Sequence, residues 1–273
     1  MKRIAIYGKG GIGKSTISSN VSATLGFMGK KVLQIGCDPK HDSTLLLSDK
    51  TDETALNKIM EKGSDIKVED VVVEGKFGTK CVELGGPRPG VGCAGRGVIK
   101  GLETLNRFNC LDDENLDLVL FDILGDVVCG GFFEPLRSGK TQEMYIVTSG
   151  EFNSLFAANN LAYGYINSCL EYNDVKLVGI IGNCRNIKNE KEIIESFAKA
   201  INIPLISMIP RDNRIEECCD YHQPIIEKLP DSDLADIFKE LANKIMEEKN
   251  NEIIPTPLKL EKLRELYNKK HEL

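Results

Sequence analysis

The chain has 273 residues, with 35 Lys and Arg against 41 Asp and Glu, a formal net charge of −6 and 41% apolar residues. This composition excludes a disordered chain, and the negative charge argues against a general nucleic-acid coat protein. No apolar run reaches the roughly 18 residues of a membrane span, and the N-terminus lacks a signal-peptide pattern. We therefore expect a cytoplasmic protein that binds neither nucleic acid nor membranes.

Predicted strands and helices alternate along the chain. Six short, β-branched-rich runs are typical of buried parallel strands, at residues 3–7, 31–35, 116–121, 144–148, 177–181 and 205–209. Helical patterns fall between or after them, at residues 15–28, 98–108, 154–171, 190–200, 214–219 and 233–247. Since no linker or internal repeat divides them, the sequence predicts one α/β domain over residues 1–250 with a doubly wound, mostly parallel sheet.

Residues 251–273 differ in character from this domain. Pro255 and Pro257 interrupt the chain, and residues 258–266 then return to helical spacing. We expect a C-terminal extension with a short helix, docked on the body of the protein or on a second subunit. A helix lying on a membrane surface is the alternative, which Glu261 and Glu265 disfavour.

A glycine-rich loop follows the first strand and opens the first helix. It matches the phosphate-loop pattern G-x-x-x-x-G-K-[ST] in the context that this motif requires. Its residues are Gly8, Lys9, Gly10, Gly11, Ile12, Gly13, Lys14, Ser15 and Thr16. Backbone N–H groups and a helix N-terminus favour phosphate here, and we expect Lys14 to contact the β- and γ-phosphates of ATP and Ser15 to ligate Mg²⁺.

The second lysine of the loop, Lys9, marks a two-lysine subclass of phosphate-loop ATPases. In that subclass this lysine crosses a dimer interface to the nucleotide of the partner subunit. A solvated surface lysine is the alternative.

Three carboxylates are candidates for handling metal and water. Asp38 and Asp42 follow the second strand, and Asp122 follows residues 116–121, where a Walker-B acid belongs. Capping of a helix or turn is the alternative for each of them.

Nine cysteines, an odd number with no C-x-x-C pair, disfavour a disulfide framework and a zinc ribbon. Most should be small core residues. Cys93 and Cys129 are exceptions because both are embedded in glycine, which lets backbone N–H groups approach a sulfur atom. Two such cysteines per chain could hold one iron–sulfur cluster on the two-fold axis of a dimer; a catalytic thiol and simple packing are the alternatives.

Cys129 is the seventh residue after Asp122. A loop that senses the γ-phosphate and also carries a metal ligand would link hydrolysis mechanically to the cluster.

Five segments, in order, carry a specific resemblance: YGKGGIGKST, GCDPKHDST, GGPRPGVGCAGRGVI, DILGDVVCGGF and PRDN. They resemble the iron protein of nitrogenase and its close relatives, which are homodimeric ATP-dependent reductases. The resemblance implies one [4Fe–4S] cluster per homodimer, held by Cys93 and Cys129 of both chains, with MgATP bound near the interface. It implies that electrons pass singly from a ferredoxin or flavodoxin to a nitrogenase or nitrogenase-like catalytic component.

The same resemblance implies roles for further residues. Lys9 would reach across the interface, Asp38 and Asp126 would serve hydrolysis and nucleotide sensing, and Asp42 and Asp122 would complete the Mg²⁺ shell. The residues that match adenine contacts are Asn183, Arg211 and Asp212. Arg96 matches an arginine beside the cluster that meets the catalytic partner and that some family members modify by ADP-ribosylation.

Two features of the sequence point to different branches of the family. His41 resembles the dark protochlorophyllide reductase branch, whereas GVGCAGRGVI resembles the nitrogenase branch. A divergent member serving a tetrapyrrole or another reductase is therefore one alternative. A partition or septum-placement ATPase is a second, which the acidic charge and the glycine-flanked cysteines disfavour.

Overall fold

The structure is a computed structural model, and it describes residues 1–50, 53–85, 94–125, 133–168, 175–248 and 253–271. Its centre is one eight-stranded sheet. The strands are β1 (Lys2–Gly8), β2 (Val32–Gly36), β3 (Val73–Glu74), β4 (Lys80–Glu83), β5 (Leu118–Leu124), β6 (Glu143–Thr148), β7 (Lys176–Asn183) and β8 (Leu205–Ile209). They lie in the order β3-β4-β2-β5-β1-β6-β7-β8, and among these pairs β3 with β4 is antiparallel while the others are parallel.

Helices cover both faces of this sheet. Their bounds are α1 (Lys14–Phe27), α2 (Ala55–Lys62), α3 (Ala94–Arg107), α4 (Glu134–Arg137), α5 (Phe152–Ser168), α6 (Glu190–Ala200), α7 (Asn213–Asp220), α8 (Ile225–Lys228), α9 (Asp233–Met246) and α10 (Leu260–His271). Alternate residues of β1 enter two separate cores: Ile4 and Ile6 pack with α1 and α7–α9, whereas Ala5 and Tyr7 pack with α3, α5, α6 and α10. The result is a three-layer α/β/α sandwich, which confirms the predicted fold class.

Helix α1 carries the phosphate loop at its N-terminus and is itself deeply buried. Residues 17–25 are all buried, and α1 packs against β2 on one side and α8 and α9 on another. A helix covered in this way is fixed in position, so the loop that precedes it is fixed as well.

The six predicted strands are all present, with one change that bears on the site. Strand β5 begins at Leu118 rather than Leu116, and it continues through Asp122 to Leu124. It continues because Asp122 pairs with Ile6 of β1 on one side and Gly36 of β2 on the other. Asp122 therefore lies inside the strand, not after it. Elements α2, β3, β4, α4 and α8 were not predicted.

The C-terminal helix α10 packs against α5 and α6. Asn159 of α5 holds the preceding segment: its amide donates to the carbonyl of Leu258 at 2.9 Å, and its Oδ1 accepts from the Leu258 N–H at 2.7 Å. The rings of Phe152 and Tyr267 meet edge to face, with centroids 5.4 Å apart. The domain boundary at residue 250 stays a prediction.

In the part of the chain that the structure describes, no helix has the length and apolar character needed to cross a bilayer.

Candidate nucleotide site

The phosphate loop links the end of β1 to the start of α1. Gly11 and Gly13 have φ angles of 73° and 90°, which other residues rarely adopt. The loop is closed by a hydrogen bond from the Ile12 N–H to the Lys9 carbonyl at 3.1 Å. The first N–H groups of a helix have no partner within the helix, and α1 begins at this loop, an arrangement that favours an anion.

Lys14 and Asp122 form a buried ion pair beneath the loop. Lys14 Nζ lies 2.8 Å from Asp122 Oδ1, and the two side chains are 4% and 0% exposed. Burial alone would lower the pKa of Lys14, but the attraction and hydrogen bond of Asp122, together with the charges of Asp38 and Asp42, outweigh it, so the pKa is raised. Lys14 is therefore held charged at the floor of the loop.

Two further carboxylates lie in the segment that follows β2. Asp38 is 4% exposed, and its Oδ1 accepts a hydrogen bond from the Lys40 N–H at 3.0 Å. Burial, followed by repulsion from Asp38, raises the pKa of Asp42. Both carboxylates also raise the pKa of Lys14, so three acids surround one ammonium group.

These acids fit a cation that arrives with a nucleotide better than a metal held by protein alone. Among the described residues, no group of three or more His, Cys, Asp or Glu side chains is arranged to hold a metal ion. The buried Oδ2 of Asp122 nevertheless has no hydrogen-bond partner within the described ranges. Mg²⁺ binds through one or two carboxylates plus phosphate oxygens and waters, and this unpartnered oxygen suits such a shell.

The opposite wall of the site is formed where β7 ends. Asn183 Nδ2 donates to the Ile12 carbonyl at 2.6 Å, and Arg185 Nη2 donates to the Gly11 carbonyl at 2.6 Å. Glu190 holds the Arg185 backbone by accepting its N–H at 2.7 Å. These contacts hold the phosphate loop from outside. Asn183 therefore already has a hydrogen-bond partner in that loop.

Arg211 and Asp212 both have partners within the protein. Arg211 pairs with Glu216. Asp212 caps α7 by accepting the Arg214 N–H at 2.8 Å, and its carboxylate also pairs with the Arg214 guanidinium at 2.7 Å. These hydrogen bonds lower the pKa of Asp212.

Most of the predicted site residues line one cavity of about 310 Å³. They are Lys9, Gly10, Gly11, Gly13, Lys14, Ser15, Thr16, Asp38, Asp42, Asn183, Arg211 and Asp212. Gly8 and Ile12 are buried, and Asp122 lies beneath Lys14. The described residues of the predicted nucleotide-binding motifs therefore converge on this cavity.

Four predicted residues remain. Cys93, Asp126 and Cys129 fall outside the described residues. Arg96 is exposed on α3, and it is not among the residues that line the cavity.

Several cavity residues were not predicted: Lys40, Cys184, Arg185, Pro210, Glu216 and Cys219. Arg185 stands two residues after Asn183 in the same segment, so the position of the strand end could have indicated it. Cys184 and Cys219 are half-buried, whereas Cys37, Cys81 and Cys218 are buried, as predicted for core cysteines.

A family model described as "4Fe-4S iron sulfur cluster binding proteins, NifH/frxC family" matches residues 2–273. The chain belongs to this family. Membership implies a [4Fe–4S] cluster and nucleotide binding, and it confirms at family level the resemblance carried by the five segments.

Solved structures of other phosphate-loop proteins share the fold. MinD from Aquifex aeolicus is 18% identical with a TM-score of 0.67, covering 92% of this chain and 99% of that one. MinD from Pyrococcus horikoshii, complexed with Mg-ADP, is 21% identical with a TM-score of 0.68, covering 89% and 95%. Cobyrinic acid a,c-diamide synthase from Mycobacterium smegmatis, with bound ADP and magnesium, is 16% identical with a TM-score of 0.60, covering 89% and 93%. At these identities the likeness concerns the fold alone.

Proposed function

We propose that this NifH/frxC family member is a homodimeric, ATP-dependent reductase that passes single electrons to the catalytic component of a nitrogenase or nitrogenase-like enzyme. The observation that carries the proposal is the buried Lys14–Asp122 pair at 2.8 Å, in a chain whose family binds [4Fe–4S] clusters. The strand that bears Asp122 leads within seven residues to Cys129, so one short segment joins the nucleotide site to a proposed cluster ligand.

The nucleotide part of the proposal assigns a role to each side of the cavity. The loop N–H groups and Lys14 bind the phosphates of ATP. Ser15, Asp42 and Asp122 hold Mg²⁺ directly or through water, and Asp38 orients the attacking water. Asn183, Arg211 and Asp212 form the wall against which the base lies.

The electron-transfer part depends on three residues outside the described ranges and on two residues within them. Cys93 and Cys129 of each subunit would supply the four thiolates that a [4Fe–4S] cluster needs, and the bound cluster supplies one-electron redox chemistry. Asp126 lies between Asp122 and Cys129 in the sequence, a position suited to sensing the γ-phosphate. Lys9 would reach the nucleotide of the partner subunit, and Arg96 would meet the catalytic partner.

The electron acceptor is the finer part of the proposal. We propose a nitrogenase or nitrogenase-like partner, with a ferredoxin or flavodoxin as electron donor. His41, which resembles the protochlorophyllide reductase branch, has a φ of 58° and a pKa that burial lowers. The imidazole is therefore uncharged at neutral pH. His41 precedes Asp42 in a segment whose sequence differs between the two branches of the family.

Anaerobic purification tests the proposal directly. We expect a brown dimer with thiolate-to-iron absorbance near ~400 nm and about four iron atoms per two chains, together with ATP hydrolysis that increases when a catalytic partner is added. A colourless, iron-free protein that still hydrolyses ATP after cluster reconstitution would contradict it and favour a partition-type ATPase.

A further inference from the structure

A buried polar cluster holds the end of the segment that carries Asp38 and Asp42. The carbonyl of Ser43 accepts hydrogen bonds from Gln34 Nε2 at 2.7 Å and Ser19 Oγ at 2.5 Å. The next residue, Thr44, donates both its backbone N–H and its hydroxyl to Glu83 Oε1, each at 2.7 Å. Ser43 and Thr44 are fully buried, so water does not compete for these bonds.

Glu83 occupies this place at a cost. It is 3% exposed, and its Oε2 has no hydrogen-bond partner among the described residues. Burial raises the pKa of Glu83 to about 8, although the hydrogen bonds from Thr44 oppose the shift. A buried carboxyl group with one unsatisfied oxygen destabilises a fold, and an apolar side chain of similar volume would avoid that cost.

The neighbouring strand leaves room for the carboxyl group. Gly36 of β2 lies in register with Glu83 of β4 on one side and with Asp122 of β5 on the other. A Cβ atom at Gly36 would lie 2.1 Å from Glu83 Oε2 and 2.6 Å from the Ser43 Cβ. Only glycine at position 36 therefore lets the Glu83 side chain cross β2 towards Thr44.

This geometry relates Glu83 to the nucleotide site without placing it in the cavity. Glu83 is not among the residues that line the nucleotide cavity, but Thr44 is two residues from Asp42, which lines it. The phosphate loop has a separate brace in Asn183 and Arg185. Loss of the Thr44–Glu83 contact should therefore disturb the segment 38–44, which carries Asp38 and Asp42, more than the phosphate loop.

We propose that Glu83 is a positioning residue for the metal-binding half of the site: by accepting both hydrogen bonds from Thr44, it fixes the segment 38–44 so that Asp42 faces the Mg²⁺ of a bound nucleotide and Asp38 faces the attacking water. This inference rests on the proposed nucleotide function. It predicts that Glu83 contributes to the part of nucleotide affinity that depends on Mg²⁺ and little to the part that does not.

Calorimetric titration of ADP in excess Mg²⁺ and in EDTA separates these two parts. We expect Glu83→Met to reduce the ratio of the two affinities by about tenfold, the size of one lost hydrogen bond between buried neutral groups, with the affinity in EDTA within about twofold of the parent. Glu83→Gln should keep the parent's ratio, because its amide oxygen can accept the same two hydrogen bonds.

The matched control is Glu143→Met. Glu143 is also buried on a strand and paired, with Lys2 at 2.9 Å, but it stands at the start of β6, away from the carboxyl ends of the strands where the cavity lies. This variant should be less stable than the parent but keep the parent's ratio of ADP affinities in Mg²⁺ and in EDTA.

A parent-like ratio in folded Glu83→Met protein would overturn the inference, as would an equal loss in Glu143→Met. If Glu83→Met does not fold, Thr44→Val takes its place, since it removes only the hydroxyl donor; a parent-like ratio there would be equally contradictory. Failure of the parent protein to bind ADP would instead contradict the proposed function.

Discussion

Lys14 and Asp122 form a buried ion pair at the floor of the proposed nucleotide site. Each is buried, and each compensates the charge of the other at 2.8 Å. Removing one partner of a buried pair leaves an uncompensated charge, which typically costs about 3–5 kcal/mol. The site is therefore sensitive to substitution at either residue, in nucleotide affinity and in stability.

Lys14→Ala and Lys9→Ala should separate binding from turnover. Lys14→Ala removes a charge from the phosphate site, so ATP affinity should fall by about 10- to 100-fold, and the melting temperature should fall because Asp122 loses its partner. Among the described residues, Lys9 Nζ makes a long contact of 3.4 Å with the Gly10 carbonyl, so Lys9→Ala should keep most of the binding and lose hydrolysis. Equal hydrolysis rates for Lys9→Ala and the parent in the partner complex would count against a role across the interface.

The raised pKa of Glu83 predicts how the stability of the nucleotide-free protein in EDTA depends on pH. The unfolded chain ionises this carboxyl group near its ordinary pKa, whereas the folded protein keeps the proton up to a pKa of about 8. The unfolded state therefore binds fewer protons between these values, so the free energy of unfolding should fall as pH rises from 5 to 8. In denaturant unfolding, the free energy of unfolding of Glu83→Gln should fall between pH 5 and pH 8 by a few kcal/mol less than that of the parent. Parallel curves of this free energy against pH for the two proteins would contradict the raised pKa of Glu83.

At the scale of elements, the carboxyl ends of β1, β2, β5 and β7 assemble the site. The central strands were predictable because their β-branched runs are buried on both faces, and the phosphate loop because its glycines have fixed spacing. Strand β4 was missed, since its four residues include Lys80, Cys81 and Glu83 and show no apolar run. The role of Glu83 could not be predicted either, because it depends on the register of Glu83 with Gly36, which exists only in the folded sheet.

A prediction at the scale of elements concerns the contact between Asn159 and the C-terminal segment. Its side chain both donates to and accepts from the Leu258 backbone, so Asn159→Ala should weaken the docking of residues 253–271 by about 1–3 kcal/mol. Hydrogen exchange of that segment should speed up while the central strands keep their protection. Tyr163→Phe is the control, because its hydroxyl lies 3.5 Å from the Pro257 carbonyl and contributes less. Unchanged exchange in Asn159→Ala would contradict this account of the docking.

At the scale of the whole molecule, the proposal needs two chains. Two thiolates per chain become four across a two-fold axis, so each cysteine substitution removes two ligands at once. Cys93→Ser or Cys129→Ser should each remove the cluster iron from the dimer, whereas Cys110→Ser, on a half-buried cysteine, should not. Iron analysis after anaerobic purification measures this, and a full cluster in Cys93→Ser would contradict the ligand assignment.

The central claim is that nucleotide state controls the cluster through the segment from Asp122 to Cys129. Linkage requires the effect to be reciprocal, with a typical coupling of about 1–3 kcal/mol. Asp126→Glu lengthens one side chain in this segment, so it should weaken the response and leave the cluster assembled.

The most direct measurement is the rate at which a chelator removes iron from the reduced dimer. We predict that MgATP increases this rate by about tenfold or more, which corresponds to an activation barrier lower by at least about 1.4 kcal/mol, whereas MgADP leaves it near the nucleotide-free rate. Identical rates without nucleotide, with MgADP and with MgATP would contradict the account, because the protein would then be an iron–sulfur protein with an ATPase fold and not an ATP-gated reductase.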